Sequence, residues 1–184
     1  KGIPLHPSRM YANDALKLVV LVSEQIIPRS LTHRFGEAVI EWIKAKGITR
    51  IISLAGINTG DPKDKSVYGI ASNARSKRLL DGADIKVISE GITTGVTAMM
   101  LLELRDDNTE AVSIMGSVSL GADYKAAAGL LEKLNAVLQL NIDVKPLLKE
   151  AQETEKELLK NFEKMRESNE TVQKLEDKSP LMYT

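Results

Sequence analysis

Apolar and polar positions along residues 1–142 fall into blocks, and each block has its own period. Leu18-Val19-Val20-Leu21-Val22 is a continuous run rich in β-branched residues, which predicts a strand covered on both faces. From Thr32 to Lys46 the period changes. Phe35, Val39, Trp42 and Ile43 recur at helical spacing, Glu37 and Glu41 lie opposite, and Gly47 supplies a stop. Ile51 to Ala55 predicts a second buried strand running into Gly56-Ile57-Asn58-Thr59-Gly60. Val67 to Ala71 reads as a short strand, Ala74 to Leu80 as a short helix, and Ile85 to Ile88 as a strand ending in Gly91-Ile92-Thr93-Thr94-Gly95. A nearly all-apolar helix follows over Val96 to Leu104, then a strand over Ala111 to Met115 closed by Gly116. Asp123 is placed to cap a helix reaching Leu138, with Ala126, Leu130, Leu131, Leu134 and Leu138 inward. Strand, helix, strand with short connections predicts an α/β fold: a mostly parallel sheet with helices on both faces.

The pattern after residue 142 is different. Asp143 reads as the N-cap of a further helix with Pro146 in its first turn, where a missing N–H costs nothing. Val144 to Lys178 carries 8 basic and 9 acidic residues. Val144, Ala151, Leu158, Met165 and Val172 repeat every seven residues. Leu147 and Leu175 extend that seam, whereas Thr154, Asn161 and Ser168 interrupt it. So narrow a stripe predicts a helix that lies on the body for part of its length and then projects, on the order of 50 Å long if continuous. Pro180 forbids continuation. The chain therefore divides into an α/β domain (1–142), a charged helix (143–178) and a tail (179–184). In that tail Leu181, Met182 and Tyr183 stand on a free end, where no core can easily cover them.

Composition narrows the function. Twenty-five basic and 25 acidic residues cancel, which argues against a nucleic-acid surface, since phosphate binding relies on a cationic excess. There is no cysteine, so disulfides, thiolate zinc sites and cysteine nucleophiles are excluded, and a reducing, cytoplasmic setting is expected. The longest apolar runs fall far short of a membrane span, so no membrane partner is expected. A chain that opens on Lys1 rather than methionine implies a segment upstream of it.

Candidate chemistry is sparse. Each glycine-rich turn follows a strand, and the crevice beyond the carboxyl ends of such strands is the usual ligand position in an open sheet. Gly56, Asn58, Gly60, Gly91, Thr94 and Gly95 are therefore the candidate ligand residues. Neither turn has the spacing or the lysine of a phosphate loop, and the same glycines serve equally to let the backbone turn sharply. His6, between Leu5 and Pro7, reads as a turn residue, and His33 as a solvated or capping residue at a helix start. Glu90 and Asp61 are the carboxylates best placed beside the turns. Trp42 reads as a core or interface residue. No metal spacing and no cofactor motif appears, and no catalytic residue is assigned.

Met182-Tyr183-Thr184 fits a "hydrophobic, tyrosine, any residue" carboxyl terminus, the motif by which activators dock onto the 20S proteasome core. The body strengthens this: residues 1 to about 160 resemble the archaeal branch of the proteasome assembly chaperone family. The matching stretches are Gly2-Ile3-Pro4-Leu5-His6-Pro7-Ser8-Arg9-Met10-Tyr11, Arg50 through Gly60, Gly91-Ile92-Thr93-Thr94-Gly95, and Ala126 through Asn141-Ile142-Asp143 into Lys149-Glu150-Ala151. The family's opening strand and first glycine-rich turn would precede Lys1. The resemblance implies a three-layer α/β/α domain akin to the nucleoside phosphorylase architecture, without that enzyme activity. It also implies homo-oligomers whose C-terminal helices present Met182, Tyr183 and Thr184 to the α subunits of the 20S core particle, for activation or for assembly. Two other readings stay open: a phosphorylase-like ligand-binding protein or enzyme using the glycine turns, and a homo-oligomeric scaffold whose tail is unused.

Overall fold

A computed structural model describes residues 4–61, 63–91, 93–118, 123–153 and 156–157. Strands β1 (Ser8–Asn13) and β2 (Leu18–Ser23) form an antiparallel hairpin in unbroken register from Ser8 opposite Ser23 to Asn13 opposite Leu18. Lys17 takes a left-handed φ of 49° in its turn, and Asn13 Oδ1 accepts from the Leu16 amide at 3.0 Å. This corrects the expectation for Leu18 to Val22. The strand forms, but in a separate two-stranded sheet, and Val19 to Val22 are 37–44% exposed. An apolar run reports a demand for cover; it does not say which surface supplies it.

The main sheet has four strands: β3 (Arg50–Ile57), β4 (Val67–Ala71), β5 (Lys86–Val87) and β6 (Glu110–Ser117), in the order β3-β6-β4-β5. The β3/β6 and β4/β5 ladders are parallel, and β4/β6 is antiparallel. The expected parallel character thus holds for two of the three ladders. The exception has a simple cause: the 58–66 connection is too short for the helical crossover that a parallel return requires, so the chain passes over the end of β6 and comes back antiparallel.

Helices α1 (Arg29–Ala45) and α3 (Gly95–Glu103) cover one face of this sheet, and α2 (Ala74–Gly82) and α4 (Tyr124–Leu138) the other. Period-two alternation divides the strands between two cores. Ile51, Ile70 and Ala111 pack with Ile40, Leu101 and Leu104, while Ile52, Val67, Val112 and Ile114 pack with Leu80 and Leu130. Central strand β6 is buried from Ala111 to Ser117, between both layers. The architecture is three-layered, α/β/α.

Local chemistry explains the boundaries. Gly47, with φ of 64°, ends α1 as expected, although the helix begins at Arg29, before Thr32. Its buried face carries Gly36, Ile40 and Ile43, with Phe35, Val39 and Trp42 half-buried beside them. Asn73 caps α2 through the Ser76 amide, and Asp123 caps α4 through the Ala126 amide, each at 2.9 Å. Of the inward positions expected on α4, Leu130 is buried and Ala126, Leu131, Leu134 and Leu138 are half-buried. Gln139 then turns left-handed, and the Asn135 side chain clasps Ile142, donating to its carbonyl at 2.9 Å and accepting from its amide at 3.0 Å. Asp143 Oδ1 accepts from the Lys145 amide at 3.0 Å, and a helix follows over 145–153 with Ala151 buried. Most of the expected 143–178 helix, and all of the 179–184 tail, lie outside the described residues.

Candidate functional site at the carboxyl end of the sheet

The parallel β3/β6 register sets Ile57 beside Ser117 at one end of the sheet. The 58–66 loop is sewn across that end. The Ser117 amide donates to the Ser66 carbonyl at 3.1 Å, the Val118 amide donates to the Ile57 carbonyl at 2.9 Å, and the Thr59 and Ser117 hydroxyls lie 3.1 Å apart. Gly56 is a strand residue, not part of the turn: it stands opposite Gly116 within the β3/β6 ladder, one residue before its end, and a Cβ there would meet the Val118 side chain at 3.0 Å. The turn proper is Asn58 to Gly60. Asn58 Oδ1 accepts from the Gly60 amide at 2.9 Å, and Gly60 adopts φ of 78°, which favours glycine. Gly116 likewise lies within β6 rather than closing it, because the α4 backbone and Leu130 press close to it.

The rest of the loop is fixed by groups that periodicity alone did not single out. Asp64 accepts from the Ser66 amide at 2.9 Å and from the Tyr68 hydroxyl at 2.8 Å. The Ser66 amide first, then the Ser66 and Tyr68 hydroxyls, hold this carboxyl well below the usual carboxylate range. The same bond to Asp64 pushes the Tyr68 phenol up. Lys86, opposite Tyr68 in the β4/β5 ladder, donates to Ser66 Oγ at 2.7 Å and lies 5.7 Å from the Tyr68 ring centre. The sequence signal was present but local: an aspartate two residues before a serine, a pattern that closes its own turn.

The second glycine turn reaches the same end by a different route. Gly95, at φ of 82°, opens α3, and the Ser53 and Thr97 hydroxyls, 2.9 Å apart, tie its first turn to β3. From there α3 runs back toward Ile51 and Ala111, which pack with Leu101 and Leu104, so its amino end points toward the carboxyl end of β3. Thr94 occupies the N-cap position in extended conformation without a side-chain capping bond. A Cβ added at Gly91 would lie 3.6 Å from Cγ2 of Ile88, an ordinary contact. A cavity of about 170 Å³ opens at this end on the α4 side, lined among others by Lys65, Ser66, Val67, Gly116, Ser117 and Lys125.

The acid–base candidates do not converge. Asp61 accepts from the Lys63 amide at 2.9 Å within its own turn, and Glu90 is exposed. His6 is a turn residue as expected, its Nδ1 lying 3.0 Å from the Ser8 carbonyl and 3.3 Å from the Ser8 amide. His33 is exposed on α1, 3.3 Å from Glu37 one turn later. Among the described residues there is no cluster of three metal-ligating side chains, and no helix is long and apolar enough to cross a membrane. Met182, Tyr183 and Thr184 lie outside the described residues.

Comparison with known proteins places this fold. Residues 1–161 match the PAC2 family. The Methanocaldococcus jannaschii protein MJ0106 is 30% identical over 159 residues, covering 86% of this chain; the chain spans 65% of that relative's length. Crystalline Pyrococcus furiosus PbaA, described as an archaeal homolog of proteasome-assembly chaperone, superposes with a TM-score of 0.82 at 28% identity, over 96% of this chain and 74% of its own. Pyrococcus furiosus PbaB, described as an archaeal proteasome activator, shares the fold at 23% identity and a TM-score of 0.65, over 79% of this chain and 64% of its own.

Proposed function

The chain belongs to the PAC2 family, and from that membership we propose that it is a non-enzymatic, oligomeric protein that binds the α-ring of the 20S proteasome through its C-terminal tails, as an activator or assembly factor. The observation that carries this reading is the pairing of a PbaA-like body with the terminal Met182-Tyr183-Thr184. The terminal carboxylate is a fixed negative charge that a pocket lysine can pair with. The tyrosine ring adds a large apolar area with a polar tip at low rotamer cost. One such tail binds feebly, because ordering it consumes much of what it gains. Several tails on one symmetric body raise the effective concentration and hold together. The charged 143–178 segment serves as a soluble spacer, and the Asn135 clasp fixes where it leaves the body.

The glycine turns support this reading by what their neighbours are already doing. Ser53 is bonded to Thr97, Thr59 to Ser117, Asn58 to Gly60, and Asp64 to Ser66 and Tyr68. A ligand would have to break these bonds before recruiting those side chains. The test is short-peptide hydrolysis by purified 20S particles with the intact chain, with a chain lacking Met182 to Thr184, and with Tyr183→Ala. Stimulation is expected from the intact chain alone. Equal rates in all three, with no co-migration on a sizing column, refute tail docking.

A further inference from the structure

We draw no further inference here: the strongest candidate, the cavity of about 170 Å³ between the end of β6 and the first turn of α4, carries nothing, because its lysines, Lys65 and Lys125, are surface side chains, Ser66 and Ser117 are already bonded to Lys86 and Thr59, and nothing in the structure shows what it would hold.

Discussion

Substituting Gly69, in the middle of β4, sets two effects of known size against each other. Its φ is not left-handed, so alanine fits the backbone and would be expected to gain about 0.4–1 kcal/mol by restricting the unfolded chain. A Cβ at this position, however, would lie 2.8 Å from both δ-carbons of Leu80 and 3.0 Å from Cγ2 of Ile85. Leu80 is fully buried and Ile85 is 4% exposed, so no single side-chain rotation relieves both contacts. Overpacking of this kind costs about 1–3 kcal/mol, which exceeds the entropic gain and leaves Gly69→Ala about 1–2 kcal/mol less stable. Valine, although a better strand former, should be worse still. Leu80→Ala alone should cost about 3 kcal/mol as a cavity, but in the double variant the methyl introduced at position 69 occupies part of that space. The pair should therefore fall short of additivity by about 1 kcal/mol. Urea unfolding followed by the fluorescence of Trp42, the only tryptophan, at fixed protomer concentration, reads all four corners. A stability order of valine above alanine above glycine, or additivity within about 0.5 kcal/mol, would refute the argument.

Three further outcomes follow from local chemistry. Asp123→Ala removes the α4 cap and should cost about 1 kcal/mol in the same urea experiment, while Asp123→Asn or Asp123→Ser should lose little. Asp64 is ionised more easily in the folded loop than in the unfolded chain; its support is therefore complete above about pH 4 and is lost as acid protonates it through its depressed value. Amide-exchange protection of Ser66 should accordingly hold from neutral pH down to that point and then fall, and Asp64→Asn should lack it even at neutral pH. Gln139 carries a left-handed φ of 53° at the end of α4, so Gln139→Gly should raise stability by about 0.5–1 kcal/mol, and a loss would show that its side chain matters more than its backbone.

Periodicity made most of the fold legible. Val67 to Ala71 is the fourth strand with the expected bounds, Gly47 ends α1, and Asp123 and Asp143 bond to the amides that their positions imply. The failures share one cause, which is that a local pattern carries no information about the partner. Ser8–Asn13, reading SRMYAN, lacks the apolar run of a strand and exists as one only because Leu18–Ser23 pairs with it. Gly56 and Gly116 look like stops, yet they stand opposite one another inside the parallel ladder, where Val118 and Leu130 come close. The antiparallel return of β4 was likewise hidden, because it depends on the length of a loop rather than on any side chain. At the candidate site the glycine turns were visible by composition, whereas Asp64, Tyr68 and Lys86 were not, since their significance lies in a contact between strands.

These contacts bear on which part of the molecule meets its partner. A crevice built for a small molecule keeps polar groups free to receive it. Here Ser53, Asn58, Thr59 and Asp64 are each bonded to a neighbour at this end of the sheet, and those bonds hold the 58–66 loop and the start of α3 in place. These four side chains therefore act as fasteners for the three-layer body.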